Sequence, residues 1–179
     1  PYAPFALALA QCAQLDPAMS RDERYVHLRE QIERLLPGHG EELAPFVAQP
    51  MGLPVAAEDV ERIQFLEPPM LRGKVFDAVT QWIEALTAVR PMVLYLDDIH
   101  WIDPTSLELL ESLIPITGRA PLLILPAFRP RREDLSWQFH QMLGREYAHR
   151  YTAIQLQPLD PDQGRELVGN LLVIEDLPE

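Results

Sequence analysis

Four side chains that can bind metal or move protons lie close together in the middle of the chain. They are Asp97, Asp98, His100 and Asp103, within the stretch LDDIHWIDPTS. Adjacent carboxylates at the end of an apolar run can hold Mg²⁺, usually through water, and can orient a water molecule for attack on a phosphate. A second interpretation takes all four as ligands of a hydrolytic metal centre, since mixed imidazole and carboxylate sets bind transition metals. The other histidines lack the spacing of metal ligands, which favours the Mg²⁺ interpretation.

A buried strand must carry the two acids to their position. The run from Met92 to Leu96 is β-forming and apolar on both faces, as expected for a strand of a parallel sheet that helices cover on both sides. The carboxyl ends of such strands form the edge at which ligands bind in open α/β sheets. Beyond the acids, Asp103 is a natural helix N-cap and Pro104 suits the first helical position. The pattern therefore predicts a strand, an acidic loop and a helix.

This segment resembles the Walker B region of P-loop ATPases. The longer run LDDIHWIDPTSLELL is similar to the DDxHWxDxxS segment of AAA-related, STAND-type ATPase modules in bacterial multidomain signalling proteins, including LuxR-type regulators and nucleotide cyclases or kinases. The resemblance implies ATP and Mg²⁺ as cofactors, with Asp97 holding Mg²⁺ through water and Asp98 acting as the catalytic residue that polarises the attacking water. We expect His100 and Trp101 to pack or hydrogen-bond behind the nucleotide edge. A solvated loop with capping acids is the alternative.

Arg129 follows a second apolar run, Leu122 to Leu125, which we interpret as another buried strand. The resembling families often place an arginine at the end of this strand, where it contacts the γ-phosphate and neutralises charge during phosphoryl transfer. The resemblance therefore implies that Arg129 binds nucleotide and contributes to catalysis, although Arg131 and Arg132 lie close enough to compete for this role. An ordinary surface arginine is the alternative.

The sequence has no glycine-rich phosphate loop. Gly73 and Lys74 would fit G-x-x-x-x-G-K-[ST] only with glycine at position 68 and serine or threonine at position 75, where the chain has Pro68 and Val75. In the resembling families this loop lies upstream, on a strand between the second and third strands predicted here, so we expect a gap in the sheet. Without the loop, backbone N–H groups cannot hold the β-phosphate. We expect a parent ATPase, but a chain that alone binds ATP poorly and is inactive.

Helix outweighs strand in the rest of the sequence. We predict helices over residues 4–15, 20–36, 41–47, 69–89, 104–117 and 137–143 and after Asp160, a proline-bounded loop at 49–57, and a third strand at 152–156. Ser20 and Glu23 have the spacing of a capping box at the start of the second helix. Together with the resemblance, this pattern predicts an α/β, P-loop-NTPase-like partial domain with three layers, in which helices flank a short parallel sheet.

We predict one partial ATPase domain over residues 1–179. Residues 1–91 form its helical N-terminal part, 92–158 carry the Walker B and sensor strands, and 159–179 begin a helical lid region with Leu167, Val168, Leu171 and Leu172 on the apolar side of its helix. Pro1 in place of an initiator methionine suggests a segment of a longer protein.

The composition excludes several classes of function. A formal charge of −12 at pH 7 opposes direct contact with nucleic acid, which requires a basic face. Cys12 is the single cysteine and lies in an apolar helical pattern, so there is no disulfide framework and a reducing compartment is favoured. No apolar run reaches transmembrane length and no signal peptide is present, which predicts a cytoplasmic chain without membrane contact.

These observations leave two functions to test. The first is an ATP-binding and ATP-hydrolysing switch module of a multidomain signalling or transcriptional regulator. In such a module the nucleotide state biases contacts with output and sensor domains of the same chain, and a homo-oligomer is compatible with this role. The alternative is a non-catalytic protein-interaction module that retains the NTPase-like fold.

Overall fold

Helices make up most of the backbone. The computed structural model describes residues 1–171 of the chain and is 62% helical. The elements in chain order are α1 Ala3–Cys12, α2 Arg21–Leu35, α3 Gly40–Met51, α4 Ala57–Gln64, α5 Pro68–Val89, β1 Met92–Leu96, α6 Pro104–Leu113, β2 Leu122–Pro126, α7 Leu135–Glu146 and α8 Pro161–Leu171. Short 3-10 turns at Ile99–Trp101 and Ile114–Gly118 follow β1 and α6.

Local capping signals fix the start of two helices. The Ser20 side chain accepts a hydrogen bond from the Glu23 backbone N–H at 3.2 Å, and the Glu23 carboxylate accepts one from the Ser20 N–H at 2.7 Å. The predicted capping box of α2 is therefore confirmed. At α8, Oδ1 of Asp160 accepts a hydrogen bond from the backbone N–H of Gln163 at 2.8 Å, which satisfies an N–H that the first helical turn leaves unpaired.

Helix α3 is longer than predicted, so the prediction of a helix at 41–47 followed by a loop at 49–57 is wrong in its boundary. It continues to Met51 although it contains Pro45 and Pro50, and it ends where Gly52 adopts a left-handed φ of 63°. Both prolines are buried, and α3 packs against α1, α2 and α5, so burial outweighs the hydrogen bonds that proline removes. Helix α4, which the sequence interpretation did not predict, follows after a short connection.

The hydrophobic core lies between these helices and one face of the sheet. Its largest fully buried side chains are Trp82, Tyr25, Phe5, Phe139, Leu9, Leu28, Ile32, Ile83, Leu94, Leu96, Ile99 and Leu109. Helix α5 contributes a stripe from Val75 to Leu86 at three- and four-residue steps, which confirms its predicted periodicity. The core therefore holds β1 in place from one side through α1 and the helices around α5.

The two strands form a parallel pair in which Met92 faces Leu122 and Leu96 faces Pro126. This confirms the parallel sheet and the bounds of β1, whereas β2 extends one residue beyond its predicted end at Leu125. Leu94 and Leu96 point into the core, whereas the opposite face presents Val93, Tyr95, Leu123 and Leu125. We call this second surface the open face, since these four side chains are between 46% and 60% exposed. The expected helix cover on both sides is thus present on only one side within residues 1–171.

The prediction of a third strand at residues 152–156 is wrong. Residues 152–156 are irregular, and Ile154 and Leu156 are 78% and 86% exposed. The apolar alternation is present, but a strand also needs a neighbour with which to exchange hydrogen bonds. Within residues 1–171, β2 pairs with β1 alone, so its other edge lacks a strand partner.

Helix α8 forms as predicted after Asp160, and Leu167 and Val168 are about half-exposed on it. Leu172 and the remainder of the predicted lid region lie outside the described residues. Across residues 1–171, the helices all lack the combination of length and apolar character that a membrane span requires.

Candidate functional site at the carboxyl edge of the sheet

Both acids lie where β1 ends. Asp97 is exposed, and its Oδ1 accepts a hydrogen bond from the backbone N–H of Asp98 at 2.9 Å. Asp98 adopts a left-handed conformation with a φ of 51°, which aspartate and asparagine tolerate better than most residues. The turn leaves the Asp98 side chain 69% exposed. Two carboxylates are therefore presented to solvent at the end of a strand that is fixed on its core side.

Tyr95 contacts this pair from the open face. Burial raises the pKa of the Tyr95 hydroxyl, and its hydrogen bond with the Asp97 carboxylate raises that pKa further. The sequence interpretation missed this contact, although its signal was present. Residues two apart on a strand project from the same face, which places Tyr95 beside Asp97.

Arg129 lies at the same edge of the sheet as the two acids. The strand pairing continues past β2, since the Ala127 N–H donates to the Leu96 carbonyl at 2.9 Å. Two residues later Arg129 is exposed, and the Arg131 N–H donates to its carbonyl in a tight turn at 2.9 Å. Parallel pairing thus brings Asp97 and the sensor candidate to one edge, as the ends of neighbouring strands predict.

His100 and Trp101 are adjacent in sequence but differ in exposure. The His100 side chain is 4% exposed, and its Nδ1 lies 3.5 Å from Oδ1 of Asp98, which is long for a hydrogen bond. Trp101 is 77% exposed, and its ring centroid lies 5.1 Å from that of His100. The imidazole therefore packs behind the acids, as expected, while the indole faces solvent, contrary to the expectation.

Asp103 belongs to the start of α6 rather than to the acid pair. Its Oδ1 accepts from the Ser106 backbone N–H at 3.0 Å, and its Oδ2 accepts from the Ser106 hydroxyl. The Ser106 hydroxyl oxygen in turn accepts a hydrogen bond from the Tyr2 N–H at 2.7 Å, which anchors the N-terminal segment to α6. In the part of the chain that the structure describes, no group of three or more metal-ligating side chains is assembled. The four-ligand metal centre is therefore not supported.

Removal of the Asp103 cap gives a prediction for stability. Burial of Asp103 opposes its ionisation, but the hydrogen bonds from Ser106 prevail and lower the pKa of the carboxyl below its ordinary 3.8. We expect Asp103→Ala to cost about 1 kcal/mol of unfolding free energy near pH 7. Since the folded-state pKa is depressed, this contribution is present above the unfolded pKa and is lost as pH falls through the folded one.

Urea unfolding of the wild type and Asp103→Ala between neutral pH and pH 3 measures this difference. Asp77→Ala, an exposed acid in the middle of α5, is the matched control. A pH-independent difference between the wild type and Asp103→Ala would contradict the carboxylate as the source of the effect.

Comparison with known proteins identifies the family to which this chain belongs. A sequence family described as AAA ATPase domain matches residues 1–125, more than half of the chain. The chain therefore belongs to the AAA ATPase domain family, whose members are nucleotide-hydrolysing modules that generally use ATP and Mg²⁺.

A curated relative is uninformative about function. An uncharacterized protein of Rhizobium meliloti (strain 1021) is 32% identical over 99 residues, which are 55% of this chain and 9% of that protein. The chain thus spans less than a tenth of the length of this relative. No solved structure matches the chain significantly.

Proposed function

We propose that the chain is part of an ATP-hydrolysing switch module in a multidomain signalling or transcriptional regulator of the STAND type. The observation that carries the proposal is the parallel pairing of β1 and β2, which brings Asp97, Asp98 and Arg129 to one edge. Membership in the AAA ATPase domain family supports a nucleotide as the ligand of this edge. In this proposal residues 1–91 are the helical part, 92–158 the nucleotide edge, and 159–179 the start of a lid.

The two carboxylates suit different tasks. The Asp97 carboxylate provides oxygen ligands of the kind that Mg²⁺ prefers. One of its oxygens accepts the Asp98 N–H, and the side chain remains exposed to solvent. We assign Asp97 to Mg²⁺ through water, and Asp98 to orienting the attacking water. Held in this way by Asp97, Mg²⁺ would supply positive charge that offsets part of the charge of the phosphates. The guanidinium of Arg129 would contact the γ-phosphate, where charge accumulates in the transition state.

The phosphate-binding loop must come from outside these residues. Within residues 1–171 β2 pairs with β1 alone, and its other edge is open to a further strand that would carry this loop. A loop at the end of that strand would reach the same carboxyl edge. On this basis the 179-residue chain alone binds ATP weakly and does not hydrolyse it.

The experiment that tests the nucleotide site compares three arginines. In a form of the protein that includes the phosphate-binding loop, we expect Arg129→Ala to lower single-turnover ATP hydrolysis by about 10²-fold or more, since one donor that acts on transition-state charge is lost. Arg131→Ala and Arg132→Ala are matched controls on the same loop and should retain most of the activity. A large loss in either control would move the sensor role to that residue. Full activity in Arg129→Ala would remove the sensor role from Arg129.

One observation favours the alternative of a non-catalytic interaction module. The open face presents four adjacent apolar side chains, and exposed apolar patches often mark contacts with other proteins. The two functions differ in one measurement, because an interaction module would show no ATP hydrolysis even with the phosphate-binding loop in place.

A further inference from the structure

Four aromatic rings lie next to the turn that presents Arg129. We call them the aromatic cluster, and they are Phe128, Trp137, His140 and Tyr151. The His140 ring centroid lies 6.1 Å from Phe128, 4.8 Å from Trp137 and 5.7 Å from Tyr151. These separations fall in the range of direct ring contact, so His140 is the centre of the cluster.

The cluster joins three separate segments of the chain. Phe128 comes from the turn after β2, Trp137 and His140 from α7, and Tyr151 from the segment between α7 and α8. The Tyr151 hydroxyl and Nδ1 of His140 share a hydrogen bond, and all four side chains are half-buried. Burial raises the pKa of the Tyr151 hydroxyl.

The cluster bears directly on Arg129 because Phe128 is the preceding residue. The Phe128 ring packs against His140, and the backbone of Phe128 continues directly into Arg129. The guanidinium itself is exposed, and residues 129–133 that follow the ring are exposed as well. Phe128 is thus the last partly buried residue before this exposed stretch.

We propose that the aromatic cluster positions Arg129 and couples that position to the segment between α7 and α8. His140 and Tyr151 are positioning residues here, since they act on Arg129 through Phe128. A displacement of the segment at Tyr151 would release His140 and then Phe128, and would thereby change the placement of Arg129. The catalytic consequence rests on the proposed function, whereas the positioning itself does not.

The first test uses the 179-residue chain without nucleotide. Tyr151→Phe removes only the hydroxyl that bonds to His140 and leaves the ring. We expect the backbone ¹⁵N order parameters of Phe128, Arg129 and Arg131 to fall from about 0.85, typical of rigid backbone, towards 0.6. Tyr147→Phe is the matched control, because Tyr147 lies on the same segment but stacks with Arg150 at 5.6 Å. It should leave the three values unchanged.

Two outcomes of this measurement overturn the inference. Unchanged order parameters in Tyr151→Phe would show that the hydrogen bond does not restrain the turn. An equal decrease in Tyr147→Phe would show a general loosening of the segment rather than an effect of the cluster. Neither outcome depends on ATP hydrolysis, so both leave the proposed function standing.

The second test uses the form of the protein that includes the phosphate-binding loop. We expect Tyr151→Phe to lower kcat about two- to tenfold, corresponding to one neutral hydrogen bond, with little change in KM for ATP. Tyr147→Phe should retain the wild-type kcat. Lower order parameters combined with unchanged kcat would support the positioning and would remove Arg129 from the proposed catalytic site. A loss of kcat that appears equally in Tyr147→Phe would contradict the specific role of Tyr151.

Discussion

Asp98→Asn is expected to lower ATP hydrolysis by about 10²-fold or more, in a form of the protein that includes the phosphate-binding loop, while ATP binding stays nearly intact. The carboxylate is assigned a role mainly in the transition state, whereas the loop and Mg²⁺ supply most of the ground-state affinity. Asparagine also tolerates the left-handed conformation found at this position, so the change is conformationally mild. Single-turnover hydrolysis and equilibrium ATP binding, measured on the same variant, separate the two effects.

Asp97→Asn should behave differently in the same assays. Its carboxylate is assigned to Mg²⁺, so the variant should lose Mg²⁺-dependent ATP binding as well as hydrolysis. Asp77→Asn, which changes an exposed carboxylate on α5, is the matched control and should resemble the wild type. Wild-type hydrolysis in Asp98→Asn would remove its catalytic role. ATP hydrolysis by the 179-residue chain alone, saturable at micromolar ATP, would show that the nucleotide site is built elsewhere.

Trp82→Ala is expected to destabilise the fold by about 3–5 kcal/mol, the usual range for removal of a fully buried large aromatic side chain. Trp82 is 0% exposed on α5, the helix that packs against α3 and leads into β1. Typical domains are stable by only about 5–15 kcal/mol, so this loss would unfold a large fraction of a marginal chain. Urea denaturation followed by circular dichroism measures the change in unfolding free energy.

Two variants on the same helix make the Trp82 result interpretable. Val89→Ala changes a side chain that is 72% exposed and should stay within about 0.5 kcal/mol of the wild type. Trp82→Phe should cost less than Trp82→Ala, because it keeps a ring and removes an indole N–H that has no hydrogen-bond partner in the described residues. A cost below about 1 kcal/mol for Trp82→Ala would contradict a core centred on α5.

The elements that the sequence predicted well depend on local signals. The bounds of β1 were predicted correctly because Arg90 and Pro91 end α5 and the acids end the strand. The predicted strand at 152–156 failed although its alternation is clear, since strand formation depends on a neighbour that a local pattern cannot supply. Helix α3 exceeded its prediction for a related reason, because contacts with other helices outweigh the local effect of two prolines.

The candidate site likewise has some features that the sequence predicts and others that it does not. The shared edge of Asp97 and Arg129 could be predicted, since it follows from two parallel strands and their ends. The aromatic cluster could not be predicted, because Phe128 and Tyr151 are brought together by the path of α7 rather than by a sequence spacing. In the sequence, the three acids and the histidine between Asp97 and Asp103 form one group. In the structure, Asp103 is instead the N-cap of α6.

The open face also affects how the chain behaves at high concentration. Its four apolar side chains adjoin an edge of β2 that has no strand partner in residues 1–171, and such an edge is a template for β pairing between molecules. A net charge of −12 opposes this association because every copy repels the others. Added salt shortens the range of that repulsion but leaves the apolar surface unchanged. We therefore expect the chain to associate more readily as the ionic strength rises.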